Sequence, residues 1–187
     1  TVTATATAAP FPETEGDIRW IAWNATDQSI PEAELVEVEA VIHLASPRER
    51  KFFPEAAHAT FRANVAATLE LAELARQGGI HFIVASTGDV FAGGPMRPRE
   101  SDMTFAPASF YAASKAAAEM MLRPFADVTK VTVLRIFHPY GPGGDAFLVN
   151  RLLRRIASDE EIEIEGPDGI LLNPIWIDDL AAGIAAA

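Results

Sequence analysis

The amino-acid sequence predicts an α/β protein built on a doubly wound parallel sheet, and three observations carry that expectation. Short β-branched runs recur along the chain: 18–23 (IRWIAW), 40–45 (AVIHLA), 81–86 (HFIVAS) and 130–137 (KVTVLRIF). Stretches of helical periodicity, 55–76, 109–122 and 146–157, separate most of them. The runs are apolar nearly throughout instead of alternating, as strands covered on both faces by helices must be.

In chain order, the opening TVTATAT alternates with period two, the pattern of a strand with one covered face. It has no initiator methionine, so the chain reads as beginning inside a sheet, with a first strand and its glycine-rich turn expected before residue 1. WNATDQ turns the chain after the 18–23 run, and Gly78-Gly79 stops the helix of 55–76 ahead of the next strand. The segment 92–108, rich in proline and glycine, is long enough to be a working loop. At the end, WIDDLAAGIAAA reads as a helix opening at Asp178 or Asp179 and stopping without a C-cap. One folded unit, residues 1–187, is expected.

Composition narrows the function classes. The formal net charge of -11 makes nucleic acid a poor partner, because phosphate binding needs a basic surface. No apolar run approaches the roughly 18 residues of a membrane span, and the first residues lack the basic flank of a secretory signal. A small molecule is the expected partner and the cytoplasm the default location. With no cysteine there is no thiolate nucleophile and no cysteine-based metal site, and His43, His58 and His81 have no metal-ligand spacing.

Ligands of doubly wound sheets sit beyond the carboxyl ends of the strands. Here those ends read SPRER after the 40s run, STGDVFAGG after the 80s run and HPYGPGG after the 130s run. Following the 80s run, SFYAASK (109–115) holds one of only two tyrosines, Tyr111, four residues before Lys115. Helical spacing stacks the two side chains on one face. A free phenol, with a pKa of about 10, is a poor base near neutrality, but a neighbouring ammonium stabilises the phenolate and brings it into use. An exposed pair on an alanine-rich helix is the plainer alternative.

The ordered blocks VIHLAS, ANVAATLELAELA, FIVASTGDVFAGG, SFYAASKAAAE, LRIFHPYGPGG and NPIWIDDLAAGI resemble the extended short-chain dehydrogenase/reductase family, of the NAD-dependent epimerase/dehydratase type. The likeness runs from residue 18 onward. It implies a Rossmann-like dinucleotide domain, here partial, with the C-terminal substrate-binding part largely absent. It implies NAD or NADP as hydride acceptor, and Thr87, Tyr111 and Lys115 as the catalytic set. Asn24, Ala25, Ala45, Ser46, Asn64 and Pro139, together with Tyr111 and Lys115, match cofactor-contacting positions. Ser86, Asp89 and His138 match substrate-side positions. No metal is implied, and a homodimer is the assembly to expect. The reaction implied is oxidation, reduction or epimerisation at a secondary alcohol or ketone of a sugar or nucleotide sugar. A cofactor-sensing binding protein and a carbonyl reductase of a non-sugar substrate are the rival readings.

Gly141, Gly143 and Ala146 satisfy the dinucleotide fingerprint G-x-G-x-x-A, after a strand and before a helix. Pro142 removes an N–H from the loop that would have to cradle phosphate, so the block is assigned to the substrate side instead. Two departures from the family bear on chemistry. Gly88 and Asp89 follow Thr87 where sugar dehydratases of the family carry Asp-Glu, so the acid for eliminating water is missing. Leu172 stands where an arginine commonly meets the substrate diphosphate, which puts a nucleotide sugar in doubt without excluding it. Phe91 replaces the usual tyrosine.

Overall fold

A computed structural model of the chain describes residues 2–7, 18–47, 52–91, 97–102, 107–144, 147–163 and 172–187. The chain divides into two compact units between Val133 and Leu134.

In the first unit, β1 (Val2–Ala6) runs parallel to β2 (Ile18–Ala22). The threonine-alanine alternation has its expected consequence: Thr3 and Thr5 are exposed, Ala4 and Ala6 half-buried. β3 (Ala40–His43) pairs in parallel with β4 (His81–Thr87), which neighbours β5 (Val131–Ile136) on its other side. β4 is the buried strand, with Phe82, Ile83 and Val84 all at 4% exposure or less. A continuous helical stretch crosses from β3 to β4: α1 (Ala57–Phe61), a π turn (Arg62–Ala66) and α2 (Ala67–Gly78). Its inner face is mostly alanine, Ala63, Ala67, Ala72 and Ala75, which lets the helix lie close on Phe82 and Val84. Gly79 ends it at φ 65°, a left-handed conformation that glycine adopts without steric cost, and Ile80 N–H then bonds the Ala75 carbonyl. α3 (Phe110–Leu122) starts on Ser109, whose Oγ accepts the Ala112 N–H at 3.1 Å.

In the second unit, β6 (His138–Tyr140) pairs in parallel with β7 (Pro174–Trp176), and the Tyr140 ring meets Trp176 edge-on at 5.3 Å. α4 (Leu148–Ala157) and α5 (Ile177–Ala186) complete it, and neither buries a residue.

The α/β class with parallel pairing agrees with the sequence. Among the described residues the strands pair as β1-β2, β3-β4-β5 and β6-β7, with no ladder between β1 and β3. The run 130–137 splits at Phe137. Pro139, with no N–H to give, sits on the short β6 instead of continuing β5. β7 is three residues long, too short for periodicity to announce. The last helix opens at Ile177, with Asp178 and Asp179 in its first turn, where the helix dipole favours negative charge. Parts of the 92–108 loop (92–96 and 103–106), the end of SPRER and Ala146 lie outside the described residues.

Candidate active site

β4 carries the chain from the core to the sheet edge at Ala85-Ser86-Thr87, and α3 packs back over it. Tyr111 occupies the first turn of α3 and is half-buried, whereas Lys115, one turn on, is 3% exposed. A lone buried ammonium is costly, so its surroundings matter. Lys115 Nζ donates to the Ala85 carbonyl at 2.7 Å, one residue before Ser86. Thr87 is buried, and its Oγ1 accepts the Asp89 N–H at 3.2 Å. That bond uses a lone pair and leaves the hydroxyl proton to donate elsewhere. Asp89 itself is exposed. Ser86 lies buried and donates its hydroxyl to the Glu119 carboxylate.

The π turn sets the next layer. Asn64 sits in it with no solvent exposure, and its Nδ2 donates to Ser114 Oγ at 2.9 Å. Ser114 Oγ in turn donates to the Tyr111 carbonyl at 2.7 Å. Asn64 is thereby coupled through α3 to the residue that carries the phenol. A single π turn inside a helix is a recurrent device at functional sites, because the extra residue re-aims a side chain. Asn64 Oδ1 and Ser46 Oγ are both buried and have no hydrogen-bond partner among the described residues. Buried polar atoms without partners are rare, and both lie where the sequence expects cofactor contacts.

His43, at the end of β3, was not singled out by the sequence. It is 2% exposed, and its Nε2–H donates to the Ala63 carbonyl at 3.0 Å, which fixes the neutral tautomer because a carbonyl can only accept. Burial lowers its pKa to about 4, against the bond to Ala63 and with the help of the Lys115 charge.

At the end of β2, Asn24 Oδ1 accepts both the N–H of Thr26, at 3.1 Å, and its hydroxyl, at 2.8 Å. This is a side-chain turn, the plainer role for an asparagine after a strand, and it leaves Nδ2 as the group an adenine could use. Ala25 is buried in the core, while Ala45 is half-buried in the segment after β3.

His138 and Pro139 belong to the second unit, on β6. His138 Nδ1 is buried with no partner among the described residues. The glycine loop that follows is held by Asn150 of α4: Gly141 N–H donates to Asn150 Oδ1 at 3.0 Å, and Asn150 Nδ2 donates to the Gly141 carbonyl at 2.6 Å. Gly144 N–H bonds the Gly141 carbonyl too, at 3.2 Å. With those two N–H groups spent internally and Pro142 offering none, three of the loop's four described residues, 141–144, have no N–H free for a pyrophosphate. Gly141 also has no room for a side chain, since a Cβ would stand 2.7 Å from Ile177 Cγ2 at a φ of 138°. Among the described residues no three His, Asp or Glu side chains gather as metal ligands, and no helix is long and apolar enough to cross a membrane.

The whole chain, residues 1–187, matches the model of the NAD dependent epimerase/dehydratase family. It is 31% identical over 157 residues to a probable UDP-glucuronate 4-epimerase of Rhizobium meliloti, an alignment covering 81% of this chain and 46% of that protein. The structure superposes with a TM-score of 0.79 on MoeE5 in complex with UDP-glucuronic acid and NAD, at 30% identity, covering 98% of this chain and 62% of MoeE5. It matches the fold of the UDP-glucose 4-epimerase of Thermotoga maritima with the same TM-score, at 24% identity, covering 98% of this chain and 64% of that one. The chain spans about half the length of the curated relatives it matches.

Proposed function

Because the chain belongs to the NAD dependent epimerase/dehydratase family, we propose that it forms the dinucleotide-binding portion of an NAD-dependent epimerase of nucleotide sugars, with Thr87, Tyr111 and Lys115 as its acid-base group. The observation that carries this reading is the packing of α3 on the end of β4. It places a half-buried phenol one turn from a buried ammonium, beside a strand ending in a threonine hydroxyl that still has a proton to donate.

The buried, partnerless Ser46 Oγ and Asn64 Oδ1 and the buried Lys115 fit a polar cofactor along the ends of β3 and β4. Ser46, Asn64 and Lys115 would hold it, with Ala45 passing close as a side chain small enough to admit it. NAD, when bound, supplies the hydride acceptor that no side chain can be. Thr87 donates a hydrogen bond to the reacting oxygen and orients it. Tyr111, one helical turn from the Lys115 ammonium, takes the hydroxyl proton as the secondary alcohol becomes a ketone. It returns that proton when the ketone is reduced on its other face, so the product is the epimer and proton and hydride are both restored.

The relatives named as UDP-glucuronate 4-epimerase and as a complex with UDP-glucuronic acid favour a uridine diphosphate hexose as substrate. Leu172 gives the diphosphate no cation at its position, so that contact falls to another residue. Gly88 after Thr87 leaves no acid for eliminating water, which favours epimerisation over dehydration.

Incubation with NAD, and separately NADP, against a panel of UDP-hexoses and UDP-hexuronates tests the proposal, with products resolved by NMR and mass spectrometry. A 4-epimer of unchanged mass, formed with NAD, is expected. A product lighter by one water would reassign the reaction to dehydration, and no turnover with any nucleotide sugar would remove the substrate class.

A further inference from the structure

The helical stretch that crosses from β3 to β4 starts at the carboxyl ends of those strands, where doubly wound sheets meet their ligands, and runs back to the opposite edge. Its first turns lie at the same rim as Ser46 and Thr87. Two residues there, Thr60 in α1 and Asn64 in the π turn, have no solvent exposure. They stand four positions apart, about one turn, on the buried side of the helix. Each carries a polar atom without a hydrogen-bond partner among the described residues, Thr60 Oγ1 and Asn64 Oδ1. The cofactor contacts above use Asn64 and leave Thr60 without a task.

Threonines in helices commonly settle their hydroxyl on a carbonyl one turn back. Thr68 does so, on the Asn64 carbonyl at 2.8 Å. Thr60 does not, although its own N–H bonds the Ala56 carbonyl at 2.9 Å. A buried hydroxyl with no partner costs stability, and a valine would fill the same space without that cost. The hydroxyl is therefore explained by a ligand that completes it.

The bonds around Asn64 define what such a ligand must carry. Ser114 Oγ gives its one proton to the Tyr111 carbonyl, so toward Asn64 it can only accept. Asn64 Nδ2 must then face Ser114, and the carbonyl oxygen Oδ1 is the end left over. An amide oxygen accepts and never donates, so the group that meets it brings an N–H or an O–H. A phosphate oxygen does not qualify. Thr60 Oγ1 can accept from the same group or donate to an oxygen beside it.

We propose that Thr60 is a further cofactor-binding residue, whose hydroxyl joins Asn64 Oδ1 in holding a hydrogen-bond-donating part of the dinucleotide, a role that rests on the reading of this site as NAD-binding. Because Asn64 is tied through Ser114 to the turn that carries Tyr111, the donor belongs to the reacting half of the cofactor, as a ribose hydroxyl or the nicotinamide carboxamide.

Calorimetric titration with NAD, beside the thermal midpoint of the free protein, tests the role in two variants. Thr60→Val keeps the shape and removes the hydroxyl; it should weaken NAD binding by about 10-fold while the free protein melts no lower than the wild type. Thr60→Ser returns a hydroxyl and should regain most of the affinity. Titration with acetylpyridine adenine dinucleotide, which has a methyl ketone in place of the carboxamide, separates the two donors. A Thr60→Val loss that persists with this analogue assigns the ribose hydroxyl, and one that vanishes assigns the carboxamide. Wild-type affinity in Thr60→Val would overturn the role of Thr60 alone. A loss shared in full by Thr60→Ser would overturn it too, since packing and not the hydroxyl would be responsible, as would failure of Thr60→Val to fold, which would show the hydroxyl bonded within the free protein. No NAD binding by the wild type would remove the cofactor reading and the role of Thr60 with it.

Discussion

α3 in the first unit and α4 in the second both follow loops that carry expected site residues, yet they are built differently. α3 opens on a serine cap and buries Ala112, Ser114, Lys115, Ala118, Glu119 and Leu122. α4 opens at Phe147 with no side-chain cap and buries nothing, and its hold on the site loop is the two-way amide bond from Asn150 to Gly141. A buried helix carries charges into a low-dielectric layer where they act on one another strongly, which is what tuning a phenol requires. An exposed helix meets screened charges and can only shape a loop. Proton chemistry is accordingly expected from the first unit and substrate shaping from the second.

The comparison implies that acid damages the first unit foremost. His43 has an ordinary pKa of 6.5 in the unfolded chain and about 4 in the folded one, so the unfolded state binds the proton more readily. Its contribution is fully present above pH 6.5 and is lost as pH falls from there through about 4, a loss of about 3 kcal/mol. Urea melts near neutrality and near pH 4 should show that drop, and His43→Gln should flatten it. Parallel curves for the two proteins would mean that the acid sensitivity lies elsewhere.

A smaller effect is expected at the π turn. Asn64→Ala removes the donor to Ser114 Oγ in a fully buried position and should cost about 1–2 kcal/mol in the denaturation midpoint. An unchanged midpoint would mean that the Asn64–Ser114 bond does not help seat the π turn on α3.

The smallest global effect belongs to the second unit. Asn150→Ala should speed hydrogen exchange of the Gly141 amide by roughly 10-fold while the overall melt barely moves, because the lost bonds fasten only a loop. A global loss as large as that of Asn64→Ala would erase the contrast between α3 and α4.

What the sequence made legible follows the range of the interactions involved. The runs that became β2 to β5, the glycine stop at Gly79 and the sharing of α3 by Tyr111 and Lys115 are local patterns, set by residues within a turn or a strand of one another. The Asn24 turn is equally local, two residues long, and is the alternative that composition already offered. Beyond that range the signal fades. Ser86 reaches Glu119 across 33 residues and His43 reaches Ala63 across 20, and no spacing rule links either pair. The π turn at 62–66 keeps an apolar periodicity indistinguishable from that of an α-helix. β6 and β7 have three paired residues each, below the length at which alternation means anything. Asn150 looked like an ordinary polar helix residue, since nothing in LVNRLLRRIA says that its amide faces a glycine peptide.

Turnover of the enzyme with Tyr111→Phe, measured beside its affinity for NAD, tests the acid-base group most directly. A loss in kcat of about 100-fold or more with NAD binding unchanged is the predicted result, the scale expected when a positioned proton-transfer group is removed and the cofactor contacts are kept. Near-normal turnover by that variant would contradict the account and return the fold to a role in binding the dinucleotide without chemistry at Tyr111.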